Sequence, residues 1–235
     1  MFAVEDMMRR MVYTITTLLL AGLLANHAVA EIPGLCNSGQ TAGTLSGCTG
    51  VLVTPNPPGG GPKRDGNWKI AYPYPSVAAT PCLLDGFIPA WVDTPLPTWL
   101  PNSVSTVSEW TTPYDGEGNY AQGDYVYRVA LHVPAALPSG VVPMSLTING
   151  QSSVDNSVKS VWLESPARTG QCALVTGPPP TNGFQEWGSF SFTNSQPLTP
   201  GAYAYLYFVV NNARSNGNPN ATGFRVEFFS SSAFH

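Results

Sequence analysis

The stretch YDGEGNYAQGDY, residues 114 to 125, carries four oxygen-bearing side chains, Asp115, Glu117, Asn119 and Asp124, with glycines between them. Oxygen ligands at alternating positions, with glycines allowing tight turns, are what a calcium ion asks for. No bidentate Glu stands at the offset an EF-hand needs, and the loop should join two strands. A structural calcium here is one reading, and a solvated hairpin loop is the other. A second candidate chemistry is sugar binding. Trp91, Trp99, Trp110, Trp162 and Trp187 supply flat rings, and Tyr203, Tyr205 and Tyr207 recur at every second position of one segment. The apolar C–H face of a pyranose stacks on such rings while polar neighbours bond its hydroxyls. In WGSFSF, Phe190 and Phe192 share one face, which leaves Trp187 with Ser189 and Ser191. Trp187 is therefore the expected exposed anchor, against the alternative that it packs in the core.

Catalysis has less to stand on. After the N-terminal region only His132 and His235 remain, and no nucleophile-elbow motif accompanies His132, which falls mid-strand. Glycoside hydrolysis by two carboxylates could draw on Glu109, Glu117, Asp124, Asp155, Glu164, Glu186 or Glu227. Spacing along the chain does not pair them across a cleft.

The elements that must carry these residues read as strands. YVYRVALHV (125–133) alternates, with Tyr125, Tyr127, Val129, Leu131 and Val133 on one face and Arg128 and His132 on the other. FRVEFF (224–229) places Phe224, Val226 and Phe228 inward and Arg225 and Glu227 outward. YAYLYFVV (203–210) is apolar on both faces, so it should be central or covered by another segment. FIPAWV, TVSEWT, MSLTI, VKSVWL and WGSFSF are further strand candidates, separated by turn chemistry such as NG, TPG and NGNPN. No long stretch has helical periodicity. The expected class is all-β, a two-sheet antiparallel sandwich.

The order of these pieces resembles a known family. Asp155-Asn156, Val161-Trp162-Leu163, Phe190, Phe192, Leu198, Gly201, Leu206, Phe208, Val210-Asn211-Asn212 and Thr222-Gly223-Phe224-Arg225-Val226-Glu227 follow one another as in the galactose-binding-like jelly roll. The match is to the form found in many PEP-CTERM-type bacterial exported proteins, and it spans about residues 66 to 229. It implies a jelly-roll sandwich related to carbohydrate-binding modules. The chain departs from the pattern at Glu164-Ser165, where the family has Asn-Gly, and in the insertion that follows with Cys172 and three prolines. It also lacks the family's sorting tail, so release rather than anchoring is expected. Asp155 and Asn156 then sit where one jelly-roll strand ends and the next begins. Their short polar side chains can fix that corner through backbone N–H groups, or serve a ligand.

Residues 1–30 read as a signal peptide. Arg9 and Arg10 precede an apolar run, and Ala28-Val29-Ala30 has the form of a cleavage site. Secretion is expected, with no membrane span in the mature form. Residues 31–67 read as a disulfide-bearing, Gly/Pro-rich segment and linker, closed by PNPPGGGPKRDG, and residues 68–235 as the β-sandwich domain. Charged residues are only 10% of the chain and the net charge is −4, which disfavours nucleic acid and anionic membrane surfaces as partners. The cysteines Cys36, Cys48, Cys82 and Cys172 allow three pairings. The short polar loop favours Cys36–Cys48, which leaves Cys82–Cys172 as a long-range staple. The functional expectation is an exported, non-catalytic protein that binds a carbohydrate or another cell-surface ligand. The alternatives are a self-associating matrix or filament component and a secreted glycan-active hydrolase.

Overall fold

The computed structural model describes residues 35–39, 48, 52–53, 63–74, 80–105, 107–114, 120–133, 146–165, 172–175, 179–180, 183–194, 198, 201–213 and 220–229. The signal-peptide segment 1–30 and the candidate ligands Asp115, Glu117 and Asn119 lie outside the described residues. No described helix is long and apolar enough to cross a membrane.

The chain is all-β. The strands are β1 (Leu52–Val53), β2 (Lys63–Tyr74), β3 (Ile88–Asp93), β4 (Trp110–Thr112), β5 (Gly123–His132) and β6 (Leu146–Asp155). They continue as β7 (Ser157–Glu164), β8 (Cys172–Leu174), β9 (Gly188–Asn194), β10 (Tyr203–Asn212) and β11 (Gly223–Phe228). Every pairing is antiparallel, and the order is β8-β7-β10-β5-β2-β3-β4-β11-β6-β9, with β1 beside β2.

This one sheet bends over a shared core. Phe190 and Phe192 of β9 lie with ring centroids 6.2 Å and 6.0 Å from Phe208 of β10, although the two strands stand near opposite ends of the order. Trp68 of β2 touches Phe208, Phe224 and Phe228, and its indole N–H donates to the Cys36 carbonyl at 2.8 Å. The inward faces match the alternation of the sequence. Tyr125, Tyr127, Val129, Leu131 and Val133 are buried, as are Phe224, Val226 and Phe228.

The outward faces of β11 and β10 carry second layers. Arg225 and Glu227, expected on an exposed face, are buried. Residues 101–105, 107–109 and 35–39 cover them. The Arg225 guanidinium donates to the carbonyls of Pro101, Asn102 and Ser108 and to Ser108 Oγ, and Ser108 Oγ donates to Glu227. On the β10 side, Val126, Tyr207 and Val209 form a small cluster under Cys82, Leu84 and Phe87.

The described parts of the segment 31–67 are built into the body. The boundary placed at residue 67 falls inside β2, and Leu35 belongs to the core. Ser38 N–H donates to the Val226 carbonyl, Ser38 Oγ accepts from Val226 N–H, and Asn37 Oδ1 accepts from Phe228 N–H. Asp65 is the joint. Its carboxylate accepts from the backbone N–H groups of Gly39, Asn67 and Trp68. Gly39 has φ 60°, and a Cβ there would stand 2.6 Å from that of Glu109, so this turn requires glycine.

The disulfides are those expected from spacing. Cys36–Cys48 and Cys82–Cys172 have Cα separations of 5.7 Å and 5.9 Å.

Candidate functional site

Alternation decides which side chains β5 and β10 turn away from the core, and register decides which of them meet. Tyr203, Tyr205 and Tyr207 stand opposite His132, Ala130 and Arg128 respectively. Arg128 in turn stands opposite Lys69 of β2. The three tyrosines do not make a uniform ladder. Tyr203 is 61% exposed and Tyr205 is half-buried, whereas Tyr207 is 1% exposed and donates to Glu164 Oε2. Burial raises the Tyr207 hydroxyl well beyond the ordinary phenol range, and the Glu164 bond adds to it, so the phenol stays neutral and donating. Tyr207 therefore belongs to the second layer, against Phe87, and leaves the candidate ligand surface to its two neighbours.

Between β10, β5 and β2 lies an open cleft of about 210 Å³, lined by Gly66, Asn67, Lys69, Arg128, Ala130, Tyr203 and Tyr205. Arg128 is held flat among rings, its guanidinium carbon 4.1 Å from the Phe87 centroid and 4.7 Å from that of Tyr205. His132 meets Tyr203 edge-on at 4.9 Å. The cleft thus combines two accessible aromatic rings with a fixed guanidinium and a lysine. The sequence already set Arg128 on the face opposite the core. Its meeting with Tyr205, and with Lys69 on β2, depended on register.

Trp187 stands elsewhere. It is half-buried before β9, and its ring lies 4.9 Å from the Arg225 guanidinium carbon. It caps a buried cation on the β11 side of the molecule and does not join the tyrosines. Among the other tryptophans, Trp99 and Trp110 are buried against each other, with centroids 4.4 Å apart.

Asp155 and Asn156 form the corner between β6 and β7. Asp155 accepts from Trp99 Nε1 at 3.0 Å and from Asn156 Nδ2 at 2.7 Å, and its carbonyl accepts from Thr222. Asn156 Oδ1 accepts from Ala213 N–H at 2.7 Å. Both side chains are engaged in tying β6, β7 and the chain before β11 together. Of the four candidate calcium ligands only Asp124 is described, and its two oxygens accept from Lys159 and Asn211. Among the described residues no three His, Cys, Asp or Glu side chains group as a metal site.

Burial lifts the Asp155 carboxyl to about 6, against the opposing effect of the Trp99 N–H. The folded chain then holds this proton more tightly than the unfolded one, whose aspartate titrates near about 3.9. The stability it contributes is full below about pH 4 and is lost as pH rises through about 6, by on the order of 2–3 kcal/mol. Asp65, also lifted to about 6 by burial, shifts the same way. Thermal melts followed across this window should show falling stability as pH rises, and Asp155→Asn should flatten part of the fall. A variant that declines as steeply as the parent would refute the assignment.

Compared with known proteins, the chain matches no family model and no curated protein.

Proposed function

We propose that this is an exported, non-catalytic glycan-binding protein whose strands form a galactose-binding-like jelly-roll sandwich. The observation that carries the reading is the cleft of Tyr203, Tyr205, Asn67, Lys69 and Arg128. Tyr203 and Tyr205 offer ring faces for the apolar side of a sugar, and the cleft's amide and cationic N–H groups can donate to its hydroxyls. The bend of the sheet over one core, with Phe190 and Phe192 against Phe208, supports the sandwich. The carboxylates of Asp124, Asp155 and Glu227 are bonded within structural networks, which supports a binding role over hydrolysis.

Affinity electrophoresis through gels containing soluble polysaccharides tests the reading. Tyr205→Ala should weaken retention at least about tenfold, because a few aromatic anchors carry most of a binding energy. Tyr203→Ala should weaken it less and leave the melting temperature unchanged, since its ring is largely in solvent. Trp187→Ala should leave retention unchanged. Retention lost in Trp187→Ala but kept in Tyr205→Ala would move the site to the β11 side.

A further inference from the structure

Lys69 and Arg128 stand directly opposite one another on β2 and β5. Like charges in that position repel across an antiparallel pair and lower stability unless an anion lies between or beside them. Among the described residues, neither forms an ion pair with a carboxylate; the ion pair found there is Lys159 with Asp124. Glu164, on the neighbouring β7, accepts from the Tyr207 hydroxyl. Arg128 is held by rings on its faces and bonds the Tyr207 hydroxyl at part of its edge, which leaves its remaining in-plane N–H groups as its means of bonding an anion. Lys69 is exposed at the same cleft. This pair of cations sits in a chain whose net charge is −4, so it is a local reversal of sign and not part of a general basic surface.

We propose that the cleft selects an acidic polysaccharide, one whose sugars carry carboxylate or sulfate groups, with Tyr203 and Tyr205 stacking on the ring and Lys69 and Arg128 binding the anionic substituent. The inference rests on the glycan-binding reading above and adds the class of sugar. The anion would relieve the repulsion between the two cations, so binding and strand pairing support each other.

The experiment compares polygalacturonate, dextran sulfate and neutral dextran as gel ligands, with the whole mature chain, at low salt and at physiological ionic strength. Acidic polymer should be retained about tenfold or more tightly than dextran, with retention falling as salt rises. Lys69→Ala should reduce the acidic retention several-fold, and Lys69→Glu should abolish it. Any loss of dextran retention should be several-fold smaller than the loss of acidic retention, and neither variant should lower the melting temperature, because Lys69 is exposed and its removal ends the repulsion with Arg128. Preference for polygalacturonate identifies a carboxylated sugar and preference for dextran sulfate a sulfated one. If dextran is retained as tightly as the acidic polymers, or if Lys69→Glu changes nothing, the charge inference is overturned while the glycan-binding reading stands. If none of the three polymers is retained in a Tyr205-dependent way, the glycan-binding reading falls, and this inference with it.

Discussion

Arg225→Ala is expected to cost the fold about 3–5 kcal/mol, the range for removing one partner from a buried charge network. The guanidinium is fully buried and makes four hydrogen bonds, to Ser108 Oγ at 2.9 Å and to the carbonyls of Pro101, Ser108 and Asn102 at 2.9 Å, 2.8 Å and 3.4 Å. Ser108 Oγ relays to Glu227 at 2.7 Å, and Gln151 donates to the other Glu227 oxygen at 2.8 Å. Removal of the cation takes the donor from the Pro101 and Ser108 carbonyls and leaves the buried Glu227 carboxylate, still bonded by Ser108 and Gln151, with no cation beside it. Arg225→Lys should recover only part of the loss, because an ammonium is a point charge and cannot reach acceptors spread around a planar fork. Trp187→Ala, which removes only the ring over the guanidinium, should cost much less, about 0.5–2 kcal/mol. Urea denaturation of the three variants tests the ranking. If Arg225→Ala falls within about 0.5 kcal/mol of the parent, it behaves as a surface arginine and the covered network is refuted.

Arg225 also marks where sequence reading stops. Alternation assigns a residue to a face, and it did so correctly for Arg225 and Glu227, whose neighbours Phe224, Val226 and Phe228 fill the core. It carries no information about what lies over that face. The cover comes from residues 101–105, 107–109 and 35–39, far away along the chain and without periodicity of their own. The same limit applies to Trp187, whose exposure followed from its position beside Ser189 and Ser191 until Arg225 is known to lie under it. The start of β2 was hidden for a different reason. Gly and Pro dominate the composition before Lys63, and the strand is broken by a register shift between Arg64 and Lys69. The turn that makes this shift is held by Asp65 through three backbone N–H groups, a long-range device in the case of Gly39. What was legible was local or topologically simple. The corner at Asp155-Asn156 was readable from two turn-forming residues, the apolar run of β10 from its uniform composition, and the disulfides from loop length. The cleft was half legible: Tyr203 and Tyr205 by spacing, but not Arg128 and Lys69, which join them only through strand order.

The Cys82–Cys172 bridge should be the second large single contribution, about 4–5 kcal/mol, because it closes a loop of 90 residues in the unfolded chain. Cys36–Cys48 closes only 12 residues, for which the same relation gives about 3 kcal/mol. The long bridge also has local work. It joins the turn at Pro81–Leu83 to β8, at the edge of the sheet, and so holds residues 82–87 across the outer face of β10. There Cys82, Leu84 and Phe87 cover Val126, Tyr207 and Val209, and Phe87 stacks on Arg128. A Cys82→Ser/Cys172→Ser double variant should therefore lose both the entropic restraint and some of this cover. Its denaturation midpoint should fall further than that of Cys36→Ser/Cys48→Ser, and Tyr207 should become more accessible to nitration. The core around Trp68 lies on the other face of the sheet, so near-ultraviolet circular dichroism of the folded variant should keep its tryptophan signal. Loss of that signal at low denaturant, or a smaller fall in midpoint than the short-loop variant shows, would mean that the staple does not act through loop length and the second layer as described.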